Sequence, residues 1–199
     1  MPAAVTGRGP QPTLRGQRVR LRPWRPDDVD AVFDACQDVE IQRWTEVPVP
    51  YRRPDAEAFV GRVSAETWAR GGALFAVELL DAGALVGSMS LLAFREGVGS
   101  VGYWTVASRR GKGLTVEALR LLSSWVLDDL GARRVELIAD AANTGSCRVA
   151  EGAGFVAEGV LRQRSVHRGR PVDDVLYSLL ATDPRPRVLP AAAEHRRLP

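Results

Sequence analysis

The chain is short of the residues that build the commonest reactive or cross-linked centres. It has two cysteines, Cys36 and Cys147, and two histidines, His167 and His195. Thiols so far apart in sequence make no disulfide framework. Neither histidine has a cysteine, histidine or carboxylate partner at metal-ligand spacing, so no metal is implied. Long apolar runs are missing too: no segment approaches the ~20 apolar residues of a membrane span, and the N-terminus lacks a stretch of signal length. These absences lead us to expect a reducing, cytoplasmic setting with no membrane partner. The five tryptophans do not repeat, which removes support for a nucleobase-stacking platform.

The net charge is +3, and its position matters more than its size. Residues 1–17 carry Arg8 and Arg15 with no acid, and residues 182–199 carry four arginines against Asp183 and Glu194, so each end contributes +2 and the stretch between about −1. Basicity confined to the ends does not make a nucleic-acid groove, and no nucleic-acid partner is expected. Both ends are rich in Pro, Gly and Ala and lack apolar periodicity. Residues 1–16 therefore read as a disordered leader and 182–199 as a disordered Pro/Arg-rich tail, flanking one domain over 17–181. A chain of 199 residues that is 45% hydrophobic can bury a full core.

Residues 17–22 alternate apolar and charged side chains as a strand does, and Pro26, Asp27 and Asp28 supply helix-start chemistry for residues 29–37. Residues 41–51, interrupted by Trp44, Pro48 and Pro50, read as a loop or broken turn of the kind that walls a pocket, before a helix over 54–70. Strands over 74–80, 84–94 and 98–106 follow, joined by turns at Asp81-Ala82-Gly83 and Arg95-Glu96-Gly97. Leu114, Ala118, Leu121, Leu122, Trp125 and Val126 recur at helical spacing and predict a helix that stops at Gly131, with Trp125 in the core. A strand over 133–140, a short helix over 144–151 and a hairpin of 155–167 with 172–181 close the chain. The order β-α-α-β-β-β-α-β-α-β-β is α+β, not doubly wound.

The most telling stretch is 101–115, an apolar strand that breaks into a glycine-rich turn and then a long amphipathic helix. Gly111 and Gly113 lack a Cβ, so backbone N–H groups can approach an anion there. The helix start adds unpaired N–H groups and the positive end of its dipole, and Arg109, Arg110 and Lys112 add charge. The spacing is not Gly-x-x-x-x-Gly-Lys-Ser/Thr, and Val116 stands where Gly-x-Gly-x-x-Gly needs its third glycine. It fits Arg/Gln-x-x-Gly-x-Gly/Ala with one departure, Ser108 at the first place. Asn143-Thr144-Gly145-Ser146 and Glu151-Gly152-Ala153-Gly154-Phe155 follow. Together with Val19 to Asp28 at the start, Gly102-Tyr103-Trp104 on the strand and Glu117-Ala118 in the helix, this set resembles the GNAT superfamily of N-acetyltransferases, RimJ/RimL-like branch. The likeness spans about residues 17–181.

The resemblance implies an α+β GNAT fold: a mixed, mostly antiparallel twisted sheet of about seven strands flanked by helices, with the fourth and fifth strands splayed and acetyl-CoA in the gap. It implies that backbone groups of Trp104, Thr105 and Val106 bind the pantetheine arm, with an N–H near Val106 polarising the acetyl carbonyl. Arg110, Gly111, Lys112, Gly113, Leu114 and Thr115 would hold the pyrophosphate. Asn143 would hydrogen-bond the pantetheine, or cap the short helix. Ser146 would meet the leaving thiolate, or face solvent. Cys147 reads as a nucleophile or as a buried structural thiol, the second better supported because no histidine lies near it in sequence.

The implied reaction is direct, ternary-complex transfer of acetyl to a primary amine, either a protein N-terminus or a small molecule such as an antibiotic, by a monomer or homodimer. Its general base is the open place. Relatives carry Glu before Gly-Tyr-Trp where this chain has Ser100, which leaves Glu136 and Asp140 as substitute acids. The same departure keeps an alternative open, a non-catalytic acyl-CoA-binding or regulatory module. A peptide- or nucleic-acid-binding role would rest on the arginine-bearing tails alone. Arg162, Arg164, Arg168 and Arg170 on the last hairpin point to an acidic partner or to a solvated face, and His167 beside its turn reads as exposed.

Overall fold

The computed structural model describes residues 9–185; residues 1–8 and 186–199, which include His195, half of the expected leader and most of the expected tail, lie outside the described residues. One sheet organises the chain. Its strands are β1 (Leu14–Arg15), β2 (Val19–Pro23), β3 (Ala73–Leu79), β4 (Leu85–Arg95), β5 (Val98–Thr105), β6 (Arg134–Asp140), β7 (Val156–His167) and β8 (Arg170–Leu180). They lie in the order β1-β2-β3-β4-β5-β6-β8-β7, antiparallel throughout except for the β5–β6 pair.

The strand beyond the expected seven is β1, inside the stretch read as a disordered leader. Leu14 pairs with Leu21 and Arg15 with Arg20, and Gln11 Nε2 donates to the Leu74 carbonyl at 3.0 Å. So short an edge strand has no alternation to detect; backbone pairing and the packing of Leu14 against the main core make it.

The helices are α1 (Val29–Ala35), α2 (Val39–Trp44), α3 (Arg53–Ala58), α4 (Ser64–Ala69), α5 (Leu114–Ser124) and α6 (Thr144–Ala153). A π-helical turn over Phe59–Val63 joins α3 to α4 into the long helix expected there. α2 replaces part of the expected loop, because Asp38 accepts from the Glu40 and Ile41 amides at 2.9 Å each and so starts a helix well before Pro48. No described helix is long and apolar enough to cross a membrane.

β3 shows why helices cover both faces of the sheet. Phe75 and Val77 point to the side where Leu119, Leu122 and Val126 pack, while Leu74 and Ala76 point to the side of Val32, Ile41, Ala56 and Val60. Alternation sends successive side chains to opposite faces, so a strand buried on both reads as a continuous apolar run. Trp125 meets Phe75 edge-on at 5.6 Å, in the core as expected. The β4–β5 and β7–β8 hairpins turn through Glu96-Gly97 (φ 50° and 74°) and Arg168-Gly169 (φ 47° and 79°), the left-handed pair that a two-residue hairpin needs.

At the β2–β3 end, an ion network is buried against the sheet. Arg22 grips Asp28 through two bonds of 2.7 Å and shares Glu78 with Arg20. Burial pushes both carboxyls up, but the guanidinium bonds outweigh it and hold Asp28 and Glu78 below the usual carboxylate range.

Candidate functional site

β5 and β6 stay in register over a short stretch, from Val98 with Arg134 to Val101 with Leu137. Beyond it β5 continues along β4 to Thr105 and β6 along β8 to Asp140. The strands must part, and a cleft with a volume of about 1260 Å³ opens between them. Val106 N–H donates to the Val86 carbonyl at 2.9 Å. Antiparallel ladders alternate, so Trp104 also turns its backbone to β4, while Tyr103 and Thr105 turn theirs to the gap. This corrects the expectation for Val106, whose N–H is engaged inside the sheet and which does not line the cleft. Trp104 and Thr105 line it, Thr105 offering the gap-facing backbone and Trp104 a side chain.

At the mouth of the cleft lies the glycine turn. Gly111 and Gly113 both adopt φ +72°, and Gly113 caps α5 with no side-chain hydrogen bond. Glu117 N–H is the first to find the preceding turn, at Gly113 O, 3.2 Å away; the amides of residues 111–116 donate to no acceptor among the described residues. Such a row of free donors at a helix start is an anion site. Arg110, Gly111 and Thr115 line the cleft. Lys112, Gly113 and Leu114 do not, and bring only backbone: Lys112 Nζ folds back to Ser108 O at 2.9 Å and the Leu114 side chain is buried in the core.

What shapes this turn comes from far away in sequence. Arg18 donates to the carbonyls of Lys112 and Gly113 at 3.0 and 3.3 Å and to Glu117 Oε2 at 2.9 Å. Glu117 Oε1 accepts from the amides of Gln17, Arg18 and Val19 at 2.8, 2.8 and 3.3 Å. Burial pushes the Glu117 carboxyl up, but these backbone donors and the Arg18 guanidinium together hold it below its ordinary value. On the other flank Arg110 donates to Thr105 O at 3.1 Å and to Asp38 Oδ1 at 2.7 Å. That guanidinium is the main reason the Asp38 carboxyl lies low. The turn is thus pinned to β2 and to α2.

α6 begins on the far side of the gap. Asn143 Oδ1 accepts from Ser146 N–H at 3.0 Å, so the cap reading holds, yet its side-chain amide donates to nothing among the described residues and the residue lines the cleft. Ser146 also lines it. The Ser146 hydroxyl is 2.9 Å from the Tyr103 hydroxyl, which lies 3.2 Å from the Ser146 carbonyl as well. Tyr103 is a site residue that sequence reasoning placed in a motif without a role; its partner lies 43 positions on. Burial pushes its hydroxyl up to about 12, so it stays protonated near neutral pH. Cys147 turns away, packing beside Tyr177 against the main core and outside the cleft lining.

The carboxylates separate in the same way. Glu136 does not reach the cleft; it pairs with Arg134 at 2.6 Å, and Arg134 also holds Glu158 at 2.6 Å. It sits one residue before β6 leaves β5, where the strands are still joined. Asp140 does line the cleft. Its Oδ1 accepts from Ala142 N–H at 2.8 Å, and its other oxygen has no partner among the described residues. Ser100, in register with Glu136 below the fork, is not part of the lining.

Over the opposite end the β7–β8 tip bends onto the segment after α2. Arg168 donates to the carbonyls of Gln42, Thr45 and Val47, with Nε to Gln42 O at 3.0 Å. His167 Nδ1 meets Glu46 Oε1 at 3.0 Å, and its Nε2 is buried without a partner among the described residues. His167 is therefore a contact residue, not an exposed one, and Arg168 closes the open carbonyls at a helix end. Among the described residues no group of three or more His, Cys, Asp or Glu side chains is placed to hold a metal ion.

Residues 18–156 match the acetyltransferase (GNAT) domain. The chain is 25% identical over 171 residues to the uncharacterized N-acetyltransferase YoaA of Bacillus subtilis (strain 168), covering 85% of this chain and 97% of that protein. It is similar in structure to RimL, ribosomal L7/L12 alpha-N-protein acetyltransferase in complex with coenzyme A, with a TM-score of 0.77 and 19% identity over 85% of this chain and 98% of the other. It is also similar to the microcin C7 self-immunity acetyltransferase MccE in complex with acetyl-CoA and AMP, with a TM-score of 0.74 and 18% identity over 82% and 92%. The structural likenesses carry the fold, and the domain match, over most of the chain, carries the family. The chain belongs to the GNAT acetyltransferases, enzymes that acetylate with acetyl-CoA as the donor.

Proposed function

We propose that this enzyme passes the acetyl group directly from acetyl-CoA to a primary amine, with no acyl-enzyme between. The observation that carries the reading is the run of acceptor-free amides over residues 111–116 at the mouth of a gap between parting parallel strands. A diphosphate fits those donors. The arm beyond it fits the gap-facing backbone of Tyr103 and the N–H of Thr105, whose carbonyl Arg110 already engages, with Asn143 supplying a donor from the far wall. Cys147 lies outside the cleft lining, which supports direct transfer. Asp140, with one oxygen free at the fork, takes the proton that the amine loses.

The acceptor half is walled by Trp44, Tyr51, Phe59 and Trp104 and carries the Glu46 and Asp55 carboxylates. Aromatic faces with nearby negative charge favour an alkylammonium group, so the pocket fits an amine on an apolar or aromatic carrier. Both a protein N-terminus and a small molecule satisfy that description, and the acceptors named for RimL and the self-immunity role of MccE point one each way. Isothermal titration tests the donor: a folded sample should bind acetyl-CoA at micromolar or lower concentration, and failure to do so sinks the reading. Thiol release across a panel of primary alkylamines on apolar or aromatic carriers and of N-terminal peptides then identifies the acceptor; release with none of them would favour a module that binds acyl-CoA without turning it over.

A further inference from the structure

We propose that Tyr103 is a positioning residue for thiolate departure, acting through Ser146. The inference rests on the donor reading above. Tyr103 stands on β5 two residues past the last β5–β6 pair, and its side chain crosses to α6, which is entered from the end of β6. Its hydroxyl meets both the Oγ and the carbonyl of Ser146, at 2.9 and 3.2 Å. This is the described side-chain hydrogen bond that joins the two walls of the cleft past the fork. An arm that starts at residues 111–116 and follows the free edge of β5 toward that fork ends beside it. Its last polar atom is the thioester sulfur.

Ser146 by itself has a free rotor, and its proton can point anywhere. Tyr103 removes that freedom. Its oxygen has a single proton, which it keeps because burial raises its pKa; it faces two acceptors, the Ser146 carbonyl at 3.2 Å and Oγ at 2.9 Å, and we assign its donation to the nearer, Oγ. Ser146 then accepts from Tyr103 and must direct its own proton elsewhere, toward the cleft. As the tetrahedral adduct collapses, the C–S bond breaks and its electron pair stays on sulfur. Ser146 O–H donates a hydrogen bond to that thiolate while Tyr103 O–H donates to Ser146, each strengthening the other. Neither hydroxyl gives up its proton. The proton lost by the amine as the amide forms finally restores the thiol, so reactants and products balance.

The arrangement can be read without knowing the acceptor, because free CoA bound to the enzyme presents the same sulfur. The pKa of the bound thiol is followed by the ultraviolet absorbance of its thiolate in native enzyme, Tyr103→Phe, Ser146→Ala and the double variant. Calorimetric CoA affinity serves as the control for folding and binding. A hydrogen bond to a charged group predicts that Ser146→Ala raises the thiol pKa by about 1 unit or more. Tyr103→Phe raises it by about half as much, CoA affinity changes less than about threefold, and the double variant matches Ser146→Ala alone. Additive shifts would mean that Tyr103 touches sulfur itself and would overturn the positioning role, as would an unchanged thiol pKa in Tyr103→Phe. If native enzyme does not bind CoA, the donor reading falls and takes this inference with it. Should Tyr103→Phe fail to fold, 3-fluorotyrosine incorporated at position 103 decides: the more acidic phenol is a stronger donor to Ser146 and should lower the bound thiol pKa, and a thiol pKa that it leaves unmoved overturns the proposal.

Discussion

The two ends of the cleft are built from different materials. The proposed donor end is made of backbone: Gly111 and Gly113 at φ +72° and a row of free amides, with side chains such as Arg18 and Glu117 working from behind. The proposed acceptor end is made of side chains: an aromatic wall, beside a segment after α2 that Arg168 and His167 of the β7–β8 tip hold in place. A backbone site needs particular dihedrals at fixed spacings, and therefore leaves a local signature. A side-chain site needs only that distant residues meet, and many residue choices achieve that.

The sharpest way to break the contrast is to charge the backbone site. Gly111 lines the cleft and a Cβ there meets nothing within 4 Å, so Gly111→Glu adds a carboxylate with room to face the diphosphate. At Gly113 the same change is blunted, since Arg18 Nη2 lies 3.5 Å from the added Cβ. Like charges about 4 Å apart at an effective dielectric near 20 repel by about 4 kcal/mol, or about a thousandfold in affinity. Calorimetry should show acetyl-CoA binding lost in Gly111→Glu. Gly111→Ala, limited to about 1 kcal/mol of left-handed strain, should still bind. Equal affinities in the two variants would show that the diphosphate sits elsewhere.

Between the two ends stands Asp140. Asp140→Asn should lower kcat about a hundredfold while leaving acetyl-CoA affinity where it was. Glu136→Gln, below the fork, should leave kcat within about twofold of native. A reversed order in steady-state assays with the acceptor found by the panel would return the base to Glu136.

This contrast also explains what could be read beforehand. The strands, the two left-handed hairpins and the helix of Leu114 to Ser124 follow from periodicity and turn residues, which act locally. The glycine turn over residues 111–113 was legible for the same reason. β1 was missed because two residues carry no period, and α2 because its signal is one capping side chain, Asp38. Val106 was misplaced by the parity of the ladder: which of two adjacent residues faces the gap depends on register with β4. Glu136 and Asp140 look alike in sequence and differ only in lying below or above a fork whose position is set by pairing. Tyr103, Arg18 and Arg168 act on partners 43, about 99 and about 123 positions away, and no local pattern announces such meetings.

The brace behind the donor turn gives a pH test. Glu117, like Asp28 and Glu78, has a folded-state pKa below its ordinary value. Each thus favours the fold while charged: the contribution is complete above the unfolded pKa of about 4 and is lost as pH falls through the lower folded value. Glu117→Gln should cost about 2 kcal/mol at pH 7 in urea unfolding, since backbone donors and Arg18 lose a charged acceptor. The gap to native should narrow as pH falls below about 4. A gap that stays constant with pH would mean that packing, not charge, holds the turn to β2.

The smallest effect belongs to the acceptor-end clasp. Arg168 is exposed, and its bonds to the Gln42, Thr45 and Val47 carbonyls compete with water, so Arg168→Ala should cost at most about 1 kcal/mol of global stability. Its local effect should be larger than its global one. Without the guanidinium the hydrogen bond left between the segment after α2 and the hairpin, among the described residues, is that of Glu46 with His167, and hydrogen exchange over residues 42–47 should quicken about tenfold while the residues of α5 keep their rates. Acetyl-CoA affinity should not change, because among the described residues Arg168 bonds to the Gln42, Thr45 and Val47 carbonyls and not to the glycine turn. If exchange at both ends rose together, the two ends would be one cooperative unit, and the division between a backbone-built and a side-chain-built half would be a difference of chemistry only, with no independent motion behind it.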